Sequence, residues 1–206
     1  MLIPNQPQLP IQPVNEPILC SPYEEPTAHW VYDTTTGAAS QIPGRRPASY
    51  WYKTERTGSA QRDLFAEEER DDLPLVNALR DDVRRWRQTH YEGATPVTKY
   101  LLAHWTHSDR LRRLFFCQRE AVETIIYVTE ILAAGRRPRW TPKLRVEDYQ
   151  RLCKGEQPSF VAGAHSSIFP SLVDIPNEPG LPPLTRYGCK MATGSGKTVV
   201  MAMLIA

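Results

Sequence analysis

The sequence predicts an incomplete α/β protein, in which a Pro-rich extended segment and a helical region precede one strand, a glycine-rich loop and one helix. Three observations support this prediction. Residues 1–70 are rich in Pro, Ser, Thr and Gly and show no sustained helical period of apolar residues. That period is present in residues 71–135. Residues 185–206 place two glycines between a strand-like segment and an apolar helix.

The composition is typical of a soluble intracellular protein. With 206 residues and 41% hydrophobic content, the chain has the length of one or two small domains. No run approaches the roughly 18 apolar residues that span a bilayer. The N-terminus also lacks the basic patch and apolar stretch of a secretion signal. We therefore expect a cytoplasmic location and no association with a membrane.

Neither the cysteines nor the net charge identifies a ligand. The net charge is +2, but Arg outnumbers Lys, and arginine is the better bidentate partner for phosphates. Nucleic-acid binding is thus permitted but not required. The cysteines form no CxxC pair and have no zinc-like spacing, so we expect reduced thiols at Cys20, Cys117, Cys153 and Cys189.

Residues 1–70 are expected to form extended chain with a few short strands or turns. Two clusters, 21–26 and 44–51, mix aromatic and charged residues. Docking segments often have this mixture, but an ordered strap on the protein surface is the simpler interpretation. The strap is therefore the preferred prediction.

Three helices are predicted in residues 71–135. The first runs from Asp71 to about Thr89, and the second starts at Thr95, a good N-cap that is followed by proline. The third starts near Ser108 and ends at Gly135, where a left-handed C-cap is favourable. The apolar stripe of the first helix consists of Val76, Leu79, Val83 and Trp86.

The next region separates these helices from the glycine-rich loop. Residues 136–184 are rich in proline and contain one short helical possibility, at 146–153. A stretch of this length without clear elements is more typical of an insertion or a loop than of a domain. A short strand is expected at 187–191.

The segment Met191–Thr198 has the pattern of a phosphate-binding loop. Gly194 and Gly196 allow backbone N–H groups to converge on a polyphosphate, and the helix that follows adds a favourable dipole. In this pattern Lys197 contacts the β- and γ-phosphates of ATP, and the hydroxyl of Thr198 binds Mg²⁺. Lys197 and Thr198 are therefore the candidate catalytic residues.

Two segments resemble the ATPase subunits of type III restriction enzymes, within superfamily 2 of DEAD/DEAH-type helicases. They are Cys189–Ala202, which includes Met191 in place of the usual first glycine of the loop, and Phe115–Thr124. Clusters 21–30 and 44–50 also resemble one large subfamily of these proteins. The resemblance implies a RecA-like P-loop NTPase domain that begins at residue 185.

The resemblance also implies an ATP site. Gln118 is expected to recognise adenine, because a side-chain amide offers a donor and an acceptor to the base edge. A polar residue on the solvated face of the third helix is the alternative. The complete set of expected ATP-binding residues is Gln118, Met191, Ala192, Thr193, Gly194, Ser195, Gly196, Lys197 and Thr198.

The implied activity is that of an ATP-dependent DNA translocase or helicase, with DNA and a modification-methylase or other restriction-system subunit as partners. Such a motor needs an Asp-Glu box, a second RecA-like domain and an arginine finger. Only nine residues follow Lys197, so we expect the N-terminal part of a longer protein. The 206-residue chain alone is expected to hydrolyse little or no ATP.

Other interpretations remain open. The chain could be a truncated nucleotide-binding or protein-interaction module without catalytic activity. A small-molecule kinase is disfavoured by Met191, since kinases keep the first glycine of the loop. A metal site and two arginine-rich DNA-binding faces are weaker hypotheses; they involve His104, His107 and Asp109, and Arg84, Arg85, Arg87, Arg110, Arg112 and Arg113.

Overall fold

The computed structural model describes residues 13–33, 36–53, 68–154, 156 and 187–206. It divides the chain into two compact units, Met1–Arg46 and Pro47–Ala206. In the described ranges, no helix has both the length and the apolar character needed to cross a bilayer.

The described part of the first unit contains a β-hairpin. Strand β1 (Ala28–Tyr32) pairs antiparallel with β2 (Ala39–Pro43). In the connecting turn, the N–H of Gly37 donates to the carbonyl of Asp33 over 2.8 Å. Short strands in otherwise extended chain were expected here, and the hairpin confirms them.

The second unit begins with another antiparallel pair. Strand β3 (Ser49–Lys53) pairs with β4 (Glu68–Asp72). The side chain of Asn77 accepts from the N–H of Ala48 over 2.8 Å and donates to its carbonyl over 3.2 Å. This amide attaches the start of β3 to the helix that follows β4.

Helix α1 (Pro74–Gln88) carries the predicted apolar stripe with one change. Val83 and Trp86 are fully buried, and Leu79 packs against the core. Val76, in contrast, is 37% exposed. The stripe continues through Leu75 instead, because Leu75 precedes Leu79 by one helical turn and packs against the same core.

Helix α2 (Pro96–Thr106) confirms the predicted start. The hydroxyl of Thr95 accepts from the N–H of Thr98 over 3.2 Å. The carboxylate of Glu130 then accepts from the Thr95 N–H over 2.6 Å and from the Thr98 hydroxyl over 2.8 Å. A negative charge at a helix N-terminus is favourable, so Glu130 stabilises this end of α2.

Helix α3 (Phe116–Ile126) begins later than predicted. The predicted start near Ser108 is wrong, and Leu111, which was placed inside the helix, is fully exposed. The reason is local, because Phe115 has an extended backbone (ψ 148°) and its N–H donates to Oε1 of Gln118 over 2.9 Å. A π-helical segment, Tyr127–Leu132, follows α3, and Gly135 (φ +68°) lies beyond it in the predicted left-handed conformation.

The last two helices among the described residues are α4 (Val146–Cys153) and α5 (Lys197–Ile205). Helix α4 confirms the short helix predicted in the Pro-rich region. Residues 187–191 do not form the predicted strand. A strand requires a partner for its backbone groups, and none of the described strands pairs with this segment.

The core of the second unit surrounds Trp86. The indole ring meets Tyr91 edge-on at 5.0 Å and Tyr127 at 5.4 Å between ring centroids. Its N–H donates to the carbonyl of Glu92 over 2.8 Å, so the buried indole is satisfied. The remaining buried apolar residues of this cluster are Val83, Leu102, Val122, Val128, Ile131, Leu132, Leu144, Val146, Val200 and Met203.

One buried carboxylate joins α1 and α3. Glu123 is fully buried and accepts from Arg87 Nε over 3.0 Å, from Arg119 Nε over 2.8 Å and from the Tyr91 hydroxyl over 2.7 Å. Burial, together with the Glu123 charge, raises the pKa of Tyr91 to about 12, so its hydroxyl remains a donor. The Glu123 carboxylate thus accepts from three different residues, as a buried charge requires.

The Glu123→Gln variant tests this network. Removal of the charge leaves two guanidinium groups beside a neutral amide, and we expect the free energy of unfolding to fall by about 3 kcal/mol. Urea unfolding measures the loss. Glu147→Gln removes an exposed partner of Arg137 and should cost less than about 1 kcal/mol. Equal losses in the two variants would contradict the role given to Glu123.

A second buried carboxylate makes stability depend on pH. Asp82 is 2% exposed and accepts from the N–H groups of Lys143 and Leu144, each over 2.7 Å. Burial raises the pKa of Asp82 from 3.8 to about 6, against the opposing effect of the two N–H groups. The folded state therefore binds this proton more tightly than the unfolded state does.

We expect the stability of the wild type relative to Asp82→Asn to be greatest near pH 4 and to decline as the pH rises through about 6. The decline follows from the raised pKa, because the contribution is lost when the folded carboxyl ionises. Urea unfolding of both proteins across this range measures the difference, and Glu147→Gln shows the effect of losing an exposed carboxylate. A difference that increases with pH would refute the expectation.

Candidate nucleotide-binding site

Two glycines shape the loop that precedes α5. Gly194 and Gly196 have φ values of +77° and +79°, in the left-handed region that favours glycine. Between them, Ser195 folds back on the loop, and its hydroxyl donates to the carbonyl of Ala192 over 2.6 Å. The result is a tight turn that ends at the first residue of the helix.

The side chain of Lys197 lies along this turn. Its ammonium donates to the carbonyl of Met191 over 3.0 Å and to that of Ala192 over 2.9 Å. Lys197 and Thr198 are both exposed at the start of α5. The ammonium, the hydroxyl and the helix N-terminus are therefore close to one another and open to a ligand.

The loop presents several unpaired backbone donors. Within the described chain no acceptor bonds to the N–H groups of Gly194, Gly196, Lys197 and Thr198. Unpaired N–H groups at a helix N-terminus, beside a positive charge, favour an anion. The arrangement can bind a phosphate chain.

Gln118 reaches this loop from α3. Its Nε2 donates to the carbonyl of Ser195 over 3.0 Å, although the two residues are 77 positions apart. The contact is close, since a Cβ atom at Gly196 would lie 2.2 Å from Nε2. Gln118 is only 6% exposed, so the alternative of a solvated position on the third helix is wrong.

The Pro-rich region does not prevent this contact. The hydroxyls of Tyr149 in α4 and Tyr187 are 2.8 Å apart. The described residues on the two sides of 157–186 are thus in contact, and the chain between them need not separate Gln118 from the loop. The part of the predicted insertion at 157–184 lies outside the described residues.

The other predicted ATP-binding residues surround the turn. Met191 is partly buried and packs against the core, whereas Ala192 and Thr193 are exposed. Val200 and Met203 are buried and attach α5 to the same core. The loop and its helix are therefore attached to the core of the second unit by apolar contacts as well as by Gln118.

The sequence did not predict the role of Glu123. Its only signal is the placement of this acidic residue one helical turn after Arg119, which is typical of an ion pair. The network also corrects one of the arginine-rich faces. Arg87 is largely buried against Glu123, so it is not available to DNA.

The metal hypothesis for the end of α2 receives no support. His107 and Asp109 are 3.7 Å apart and mostly exposed. Throughout the described ranges there is no group of three or more metal-ligand side chains.

Comparison of the chain with family models, curated proteins and solved structures found no match.

Alanine at the two loop glycines separates backbone strain from the contact with Gln118. Gly194→Ala meets open space, so only the left-handed backbone resists it, at about 1–2 kcal/mol. Gly196→Ala has the same strain and also displaces the Gln118 amide, which adds about 1 kcal/mol. Urea unfolding measures both losses.

The same substitutions in a Gln118→Ala background complete a double-mutant cycle. We expect the additional cost of Gly196→Ala to disappear there, while the cost of Gly194→Ala stays the same. An unchanged cost at Gly196 would show that Gln118 does not limit this position.

Proposed function

We propose that residues 191–198 bind ATP with Mg²⁺, and that the chain belongs to an ATP-dependent DNA translocase or helicase of the restriction-subunit type. The observation that carries the proposal is the contact between Gln118 and Ser195. The two sequence segments that resemble this family meet at that contact. A cytoplasmic location and DNA as a partner follow from the same proposal, as does a modification-methylase or other restriction-system subunit.

Each residue of the loop contacts a different part of the nucleotide in the proposed complex. The unpaired N–H groups at Gly194 and Gly196 donate to phosphate oxygens, and the dipole of α5 adds a favourable interaction with the negative charge. Lys197 exchanges the carbonyls of Met191 and Ala192 for phosphate oxygens, which are the stronger partners because they are charged. Thr198 offers its hydroxyl to Mg²⁺, which supplies positive charge to the phosphates.

Binding without rapid hydrolysis is expected of the 206-residue chain. Hydrolysis requires a group that orients or activates the attacking water. Among the described residues, no carboxylate forms a hydrogen bond with the loop at 191–198. The nucleotide would therefore be held but turned over slowly.

A nucleotide-binding or interaction module without catalytic activity is the second candidate. One observation favours it, since α5 exposes Met201 by 62% and Ile205 by 84%. Exposed apolar side chains on one helix are typical of a surface that another protein element covers. The nucleotide-binding form of this second candidate shares the ATP site with the first, whereas an interaction module would bind no ATP.

Lys197→Ala tests the ATP site. We expect the chain to bind Mg-ATP and the variant to bind it at least about 10-fold more weakly, because a charge-assisted hydrogen bond contributes about 1.5–3 kcal/mol. Calorimetric titration measures both affinities. Lys190→Ala, which removes an exposed lysine just outside the loop, should change the affinity less than about twofold.

Equal affinities for the wild type and Lys197→Ala would refute the proposed site. Release of phosphate from ATP is measured in the same samples. Substantial turnover by the wild type that disappears in Lys197→Ala would keep the site but overturn the expectation of slow hydrolysis.

A further inference from the structure

We propose that Gln118 is a positioning residue that holds the nucleotide loop by the carbonyl of Ser195. Through this contact, Gln118 sets the affinity of the loop for any nucleoside triphosphate, and it does not select adenine. The proposal rests on the proposed function in so far as it concerns nucleotides, but the hold on the loop exists without them.

Both ends of the Gln118 amide are engaged within the protein. Oε1 accepts from the N–H of Phe115 over 2.9 Å, and Nε2 donates to the carbonyl of Ser195 over 3.0 Å. Recognition of an adenine edge requires the same donor and acceptor together. With the residue only 6% exposed, a base would have to displace both bonds to reach them.

The amide also fixes the start of α5. Its Nε2 occupies the space that a side chain at residue 196 would need, at 2.2 Å from the position of a Cβ atom. Gly196 is the N-cap of α5, and the unpaired N–H groups lie on either side of it. A shift of the Gln118 side chain therefore moves the backbone N–H groups that donate to the phosphates.

Helix α3 is a rigid support for this contact. Gln118 stands between Phe116, whose ring lies 5.2 Å from the Arg87 guanidinium, and Arg119, which bonds to the buried Glu123. The loop has no comparable support of its own, because residues 187–191 form no strand. The Gln118 bond is the polar link between α3 and the loop, and the apolar contacts of Val200 and Met203 complete the attachment.

Two substitutions separate positioning from recognition of the base. Gln118→Glu keeps an oxygen for the Phe115 N–H but cannot donate to the Ser195 carbonyl. In Gln118→Met the side chain has a similar length but neither accepts from the Phe115 N–H nor donates to the Ser195 carbonyl. It adds no charge near the phosphates. Gln150→Glu, at an exposed position in α4, is the matched control for the added charge.

Affinities for Mg-ATP, Mg-GTP and tripolyphosphate are measured for each protein. We expect both Gln118 variants to bind all three ligands about 10-fold more weakly, which is the loss of about 1.4 kcal/mol. The ratio of ATP to GTP affinity should change less than twofold, and Gln150→Glu should resemble the wild type. Loss of ATP affinity alone, with GTP and tripolyphosphate retained, would overturn the proposal in favour of adenine recognition.

Hydrogen exchange without nucleotide provides a second measurement. The hydrogen-bonded amides of Ser195, Val199 and Val200 should exchange about 10-fold faster in both Gln118 variants, while amides of α2 should exchange at the wild-type rate, which shows that the fold is retained. Unchanged exchange at these three amides would overturn the proposal. If the wild type binds no nucleotide, the proposed function fails, and the exchange rates still decide whether Gln118 holds the loop.

Discussion

The second unit depends on one buried charge. Glu123 contributes a carboxylate with no exposed surface, and such a group is tolerated only when donors surround it. Arg87 brings α1 to it, Arg119 comes from the same helix, and Tyr91 comes from the turn that follows α1. The position of α3 against α1 is thereby fixed by directional bonds as well as by apolar packing.

This constraint extends to the loop through the chain itself. Gln118 is the residue before Arg119, so the ion pair that holds Arg119 also limits the movement of Gln118. The amide in turn meets the carbonyl of Ser195. Under the proposed function the loop presents several N–H groups to one phosphate chain, and a fixed backbone favours this because preorganised donors bind better than mobile ones. The loop thus obtains from α3 the support that residues 187–191 do not give as a strand.

Local signals were sufficient to predict some elements and insufficient for others. The start of α2 was predicted correctly because Thr95 and Pro96 act within one helical turn. The start of α3 was missed because Phe115 and Gln118 interrupt an apolar pattern that otherwise continues from Ser108. Burial of Glu123 and its bond to Arg87 join residues distant in sequence, and no single-sequence period reports such contacts. The glycine turn before α5 was predicted because its signal lies within eight consecutive positions, Met191–Thr198, whereas the binding of ATP by these residues stays a prediction.

The pattern of α5 bears on the wider architecture. A helix that is apolar on all sides is typical of burial on more than one side. Val200 and Met203 are buried in the core that includes α3, whereas Val199, Met201, Leu204 and Ile205 remain exposed. In an α/β layer the second side of such a helix packs against a sheet. Among the described residues, α3 packs on one side of α5 and the other side keeps an exposed apolar face, so the sheet that the predicted α/β fold places there stays a prediction.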